Sequence, residues 1–272
     1  MEKKASAVYF SWEGIMRGVI SFGVMHYLET RNRFSSLKYL MYRKRGGWFS
    51  SPVLERIGSI QKEAVKNGKT DAQIMDEVYE VFNQQIRGME PKELEEWFAE
   101  YAEKAKAWAD LDILECASDL HSKSKLVVIG PAPFYRGEIE AVLKANMYDG
   151  QFPVIANDHD IGLADRRTVR GIRADINNGE TRLHALRADI KSRTIWVAGE
   201  KVPLNPTYIV YVGGCRGDIK CMGYIAENGG TAIVSPLIIP ELKHAAERGI
   251  KKRLVVPADF KDFSRILTEL TD

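Results

Sequence analysis

The sequence predicts an α/β protein, a doubly wound parallel sheet with an α-helical segment inserted just after its first strand. Three observations carry that expectation. A short apolar run, AVYF at 7–10, ends in SWEG at 11–14. Helical periodicity then dominates residues 15–122, and from Lys125 onward strand-like apolar runs alternate with amphipathic helical ones. Such alternation implies parallel strands joined by helical crossovers, with helices covering both faces of the sheet.

The elements follow in order. AVYF is rich in strand formers, and Gly14 suits the tight turn after it. The insertion reads as VISFGVMHYLE, SSLKYLMYRK, SPVLERIGSIQKEAVKNG, TDAQIMDEVYEVFNQQIRG and one long helix, EPKELEEWFAEYAEKAKAWADLD. Thr70 or Asp71 supplies an N-cap, Gly88 a stop and Pro91 the start of the next helix. Trp97, Phe98, Tyr101 and Trp108 recur at helical spacing and are expected to form the insertion's core. KLVVIGPAPF, FPVIAND, TYIVYVGG and TAIVSP read as strands, and GEIEAVLKAN and ETRLHALRADI as helices. Segment 161–173 and RTIWVAGEKVPL read as attached hairpins or loops. The expected division is a core of residues 1–14 and 123–272 and a helical cap of residues 15–122.

Composition removes several function classes. With 45% hydrophobic and 28% charged residues the chain has enough apolar material for a core and no signature of disorder. Its 39 basic and 37 acidic residues leave a net charge of +2, too small a field for a nucleic-acid or membrane-surface partner. Arg17 and His26 interrupt the most apolar stretch, so no spanning helix is expected. The lysines of MEKKASAVYF precede too brief an apolar run for a signal peptide. Cys116, Cys215 and Cys221 are too few for a disulfide framework or a four-ligand zinc site, which points to reduced thiols in a cytoplasmic protein.

In open sheets of this kind ligands bind beyond the carboxyl ends of the strands. Residues 11–14, 130–134 and 213–218 each follow a predicted strand and so converge on one crevice. The basic stretch YRKRGGW at 42–48 is either a solvated loop or an arm reaching over that crevice.

A strand ending in a motif, a helical insertion and a Rossmann-like remainder together resemble the haloacid dehalogenase (HAD) superfamily, in its phosphoserine phosphatase-like branch. The match spans nearly the whole chain. Members carry DxDGT after the first strand, a Ser or Thr after the second motif strand, a Lys before the third and GDSxxD after the last. SWEGI at 11–15 keeps the glycine but puts Ser11 at the nucleophile, Glu13 at the general acid/base and Ile15 at the threonine. VVIGPAPF puts Gly130 at the serine position, and NGETRLHAL puts Asn178 at the lysine. VYVGGCRGDIKCM puts Gly214 at the first aspartate and Asp218 at the second. The resemblance therefore implies a HAD-like Rossmann-type core whose frame survives and whose chemistry does not.

The substitutions act together. An aspartyl nucleophile forms a labile acyl phosphate, whereas Ser11 would form an ester that breaks far more slowly. Of the magnesium carboxylates the resemblance implies, Asp218 alone remains, so no cofactor is expected, and Mg2+ only if that site is retained. Asn178 would remove the lysine charge, leaving Glu13 and Asp218 to repel phosphate unless Arg182 or Arg216 offsets them. Asp218 is expected to cap the helix IKCMGYIAE, and Glu13 to face solvent or a backbone amide. Cys215 reads as a small residue filling the pocket in preference to a thiolate at a helix N-terminus.

The expected function is binding of a small ligand or a protein partner around Ser11, Glu13, Arg182, Cys215, Arg216 and Asp218, without phosphatase turnover. One rival is a phosphatase-like hydrolase with a rearranged site built on Glu13, Asp218 or Cys215. The other is a structural subunit of a larger assembly.

Overall fold

A four-residue strand buried on both faces needs a strand partner on each side, and the first strand has both. The structure is a computed structural model that describes residues 4–16, 71–161, 168–197, 199–237 and 240–272, with 56, 59, 60, 62, 63 and 66–69. Its first half contains β1 (Ala7–Phe10), α1 (Asp71–Ile86), α2 (Pro91–Ala105), α3 (Leu111–Ser122), β2 (Leu126–Tyr135), α4 (Arg136–Ala145), β3 (Val154–Asn157), β4 (His159–Ile161) and β5 (Val169–Ile172). The second half contains α5 (Gly179–Ser192), β6 (Thr194–Val197), β7 (Glu200–Pro203), β8 (Ile209–Gly213), α6 (Ile219–Glu227), β9 (Thr231–Val234), α7 (Pro240–Gly249), β10 (Leu254–Val255) and α8 (Phe260–Thr271).

Six strands form one sheet in the order β10-β9-β8-β1-β2-β3, with every pairing parallel. Val8 stands opposite Val127 on one side and Val210 on the other. The pleat sends alternate residues of β1 to opposite faces. Val8 and Phe10 join Val127, Ile129 and Val212 in an apolar cluster with Ile113 of α3, Ile139 of α4 and Phe263 of α8. Ala7 and Tyr9 join Val128, Tyr211 and Val234 in a second cluster with Leu186 of α5 and Ile225 of α6. Helices on both faces make the sheet doubly wound, as the alternation predicts.

The chain just after β1 and the chain just before Asp110 lie side by side. Met16 forms an antiparallel bridge with Ala109, and the Asp110 amide donates to the Ile15 carbonyl at 2.8 Å. The expected long helix is broken there: α2 ends at Ala105, a 3-10 turn covers Lys106–Trp108, and α3 starts afresh. Asp110 causes the restart, because its carboxylate accepts from the Ile113 amide at 3.1 Å and caps α3. Trp97, Phe98 and Tyr101 are buried as expected, whereas Trp108, carried on the irregular turn, is 43% exposed. The basic stretch at 42–48, Arg17 and His26 lie outside the described residues.

The two expected hairpins are present, β4 against β5 and β6 against β7. The first joins the end of α1, where the Gly88 amide donates to the Val169 carbonyl at 2.8 Å. Residues 130–134 do not form a loop after β2 but belong to it, because pairing with β3 resumes at Ala132 after a register shift.

Candidate functional site

At the carboxyl ends of β1, β8 and β9 the loops meet in close contact. After β1 a 3-10 turn spans Trp12–Gly14, and the Ser11 amide still donates to the Val212 carbonyl at 2.9 Å. The Ser235 hydroxyl, just beyond β9, donates to the Gly14 carbonyl at 2.8 Å. A Cβ at Gly214 would stand 2.1 Å from the Gly14 nitrogen and 2.4 Å from the Glu13 carbonyl carbon. The loops after β1 and β8 therefore touch main chain to main chain, and only glycine fits between them.

Arg182 binds the charged residues of these loops into one cluster. It stands in the first turns of α5, with its side chain 6% exposed. Nη1 donates to Asp218 Oδ1 at 2.8 Å, and Nη2 donates to Glu13 Oε1. Glu13 Oε2 accepts from the Ser11 hydroxyl at 3.0 Å. Asp218 Oδ1 also accepts from the Tyr211 hydroxyl at 3.1 Å, and Oδ2 accepts from the Gly214 and Cys215 amides, each at 2.9 Å.

Three expectations are corrected by this arrangement. Asp218 makes no side-chain cap to α6; its fully buried carboxylate turns back onto the preceding amides, where the guanidinium adds a charge-assisted bond. Glu13 faces Arg182 and not solvent or a backbone amide. Asn178 is the N-cap of α5, accepting from the Glu180 and Thr181 amides at 2.8 and 3.2 Å, with Thr181 Oγ1 accepting from its own amide at 3.0 Å. Its side chain is occupied by a capping box. The cation of this crevice is supplied one turn later, by Arg182.

Burial opposes the charge of Arg182, but Glu13 and Asp218 outweigh it and hold the guanidinium protonated, its pKa well raised. Burial, Asp218 and Glu13 push the Cys215 thiol well above its ordinary range, with Arg182 opposing them. Cys215 is therefore a neutral thiol, which donates to Glu13 Oε1 at 3.4 Å. Burial and Asp218 likewise keep the Tyr211 hydroxyl protonated.

No family model matches the chain, and no curated protein matches it. Solved structures do. A protein of unknown function from Bordetella pertussis Tohama I aligns with TM-score 0.62 at 12% identity, covering 93% of this chain and 99% of that one. A phosphoserine phosphatase solved as a phospho-aspartyl intermediate analogue aligns with TM-score 0.55 at 12% identity, covering 97% and 99%. A HAD family hydrolase from Salmonella enterica subsp. enterica serovar Typhi aligns with TM-score 0.54 at 13% identity, covering 89% and 66%. The chain has the HAD fold. At these identities the likeness carries the fold and not the chemistry.

A HAD fold raises the question of Mg2+, and the donor set answers it. Among the described residues Glu13, Cys215 and Asp218 place one potential ligand atom each within 4.8 Å of one another. Yet both Asp218 oxygens already accept two hydrogen bonds each, and the sulfur of Cys215 is a poor ligand for so hard an ion. A divalent ion about 4 Å from the guanidinium would also meet a repulsion of about 8 kcal/mol at an effective dielectric near 20. The residues present do not fit Mg2+.

The remaining expected positions of the HAD frame are peripheral. Gly130 has φ +112°, and a Cβ there would stand 2.3 Å from the Ile155 carbonyl oxygen, so it serves close strand packing. Arg216 is exposed and leaves the counter-charge to Arg182. His121, His159 and His244 contact Phe152, Tyr135 and Glu247, away from Ser11. Tyr211, Ser235 and the pair Tyr79 and Asn157 were not expected. Tyr79 reaches from α1 to donate to the Pro133 carbonyl, and Asn157 Nδ2 donates to its hydroxyl at 2.9 Å. The available signal was a polar atom inside an apolar strand run, as in VYVGG and TAIVSP.

Proposed function

We propose that this HAD-fold chain has given up phosphoaspartate chemistry and acts by binding, taking a protein partner or a neutral or cationic small ligand. The observation that carries this reading is the Glu13–Arg182–Asp218 bridge. Two carboxylates and one guanidinium leave a cluster of net negative charge, and the Ser11 hydroxyl beside it donates to Glu13 and to no histidine among the described residues. A phosphate dianion entering there meets repulsion that the low dielectric does not screen. The test is a phosphatase panel with and without Mg2+, coupled to vanadate titration. No turnover and no vanadate binding are expected; Mg2+-dependent turnover lost in Asp218→Ala overturns the reading.

One observation favours a second reading, a hydrolase with a rearranged site. Ser11 donates to Glu13 at 3.0 Å, which pairs a hydroxyl with a carboxylate acceptor in the manner of a nucleophile and its base. Turnover present in the wild type without added metal and absent in Ser11→Ala would establish it.

A further inference from the structure

We propose that Arg182 is the resident cation of this crevice: its guanidinium takes the place between Glu13, Cys215 and Asp218 that a divalent ion would take, and the two are mutually exclusive. The fold and its residues disagree over metal, and the guanidinium accounts for the disagreement. Its two terminal nitrogens each take one carboxylate, Nη1 that of Asp218 and Nη2 that of Glu13. Gly217 packs closely against it, since a Cβ there would stand 3.0 Å from both Cζ and Nε. Nε, the third guanidinium nitrogen, is buried without a hydrogen-bond partner among the described residues, so the two carboxylates hold the group through its terminal nitrogens.

Removing the guanidinium uncovers a mixed oxygen and sulfur donor set. Glu13 comes from the turn after β1, and Cys215 and Asp218 from the loop after β8; their ligand atoms lie within 4.8 Å of one another, close enough to share one ion. A bound cation would draw the proton from the Cys215 thiol into solvent and take the thiolate as ligand. That donor set selects a thiophilic divalent ion over Mg2+.

The experiment titrates Cd2+ into the wild type and into Arg182→Met, a variant of similar length without charge, by calorimetry and by the ultraviolet absorption of a cadmium–thiolate bond. Arg182→Met is expected to bind one Cd2+ at least roughly tenfold more tightly than the wild type, and to lose that site when Cys215→Ser or Asp218→Asn is added. Equal affinity in the wild type, lost in Cys215→Ser, would show that ion and guanidinium coexist and would overturn the proposal. So would a folded Arg182→Met that binds no Cd2+. If Arg182→Met does not fold alone, Cd2+ is added during refolding: recovery of the native circular-dichroism spectrum supports the proposal, and failure overturns it. The readout is cation affinity, so metal-independent turnover would overturn the binding function above and leave this inference to its own test, whereas Mg2+-dependent turnover lost in Asp218→Ala would overturn both.

Discussion

Arg182 Nη1 meets Asp218 Oδ1 at 2.8 Å, with the two side chains 6% and 0% exposed. Breaking a pair this deep strands one buried charge, a loss of about 3–5 kcal/mol. Arg182→Met, which leaves both Glu13 and Asp218 without their cation, is expected to lower the unfolding free energy in urea by at least that order, and Asp218→Asn, which leaves Arg182 its Glu13 partner, by less. The double variant should lose less than the sum, because the Arg182–Asp218 contact is then counted once and Glu13 alone is left without its partner.

Glu138, on α4, presents a second buried carboxyl with a different fate. It is 4% exposed, its Oε1 has no hydrogen-bond partner among the described residues, and burial raises its pKa to about 8. The folded state therefore holds a proton that the unfolded chain releases near pH 4.5. Stability from this group is full below the unfolded pKa and falls as pH rises toward 8, by several kcal/mol in total. Urea midpoints measured across this window should decline in the wild type and stay flatter in Glu138→Gln, which becomes the more stable of the two above pH 8.

Cys215 should resist alkylation at neutral pH, because burial and the carboxylates of Asp218 and Glu13 keep its thiol protonated. Glu13→Gln removes one of those charges while Arg182 remains, so its labelling should speed up. Peptide mapping after timed iodoacetamide treatment reads this directly; equal rates in the two proteins would contradict the assignment.

Restoring single motif residues should not restore a phosphatase. Ser11→Asp adds a carboxylate beside Glu13 without adding a cation, and one missing electrostatic contact costs roughly a hundredfold in rate. Gly214→Asp should instead damage the fold, by about 3 kcal/mol or more, because its Cβ would overlap the Gly14 backbone. Both variants should melt below the wild type, the first because Ser11 is fully buried against Glu13 and a second carboxylate there has no cation to itself.

Much of the frame was legible in sequence. AVYF is apolar throughout, which marked β1 to the residue, and the alternation after Lys125 gave the double winding. The site was legible in composition but not in pairing. Arg182 and Arg216 looked equivalent, since the choice depends on which of them the folded chain turns toward the strand ends. Asp218 resembled a helix cap because local precedent favours one, while its partners come from β8, the following loop and α5. Asn178 was assigned by family spacing, although NGET spells an N-cap by local rules alone. Gly214 and Gly130 report approaches of distant backbone, which no local pattern encodes.

The placement of β1 also orders events in time. Its ladder partners begin at Leu126 and Ile209, so a growing chain carries AVYF with two open edges until β2 is made and with one until β8 is made. Such non-local pairing makes folding slow and leaves an apolar strand edge exposed in the interval. The middle of the finished sheet is thus the part of the nascent chain that waits longest for shelter, and the part on which a chaperone would have most to hold.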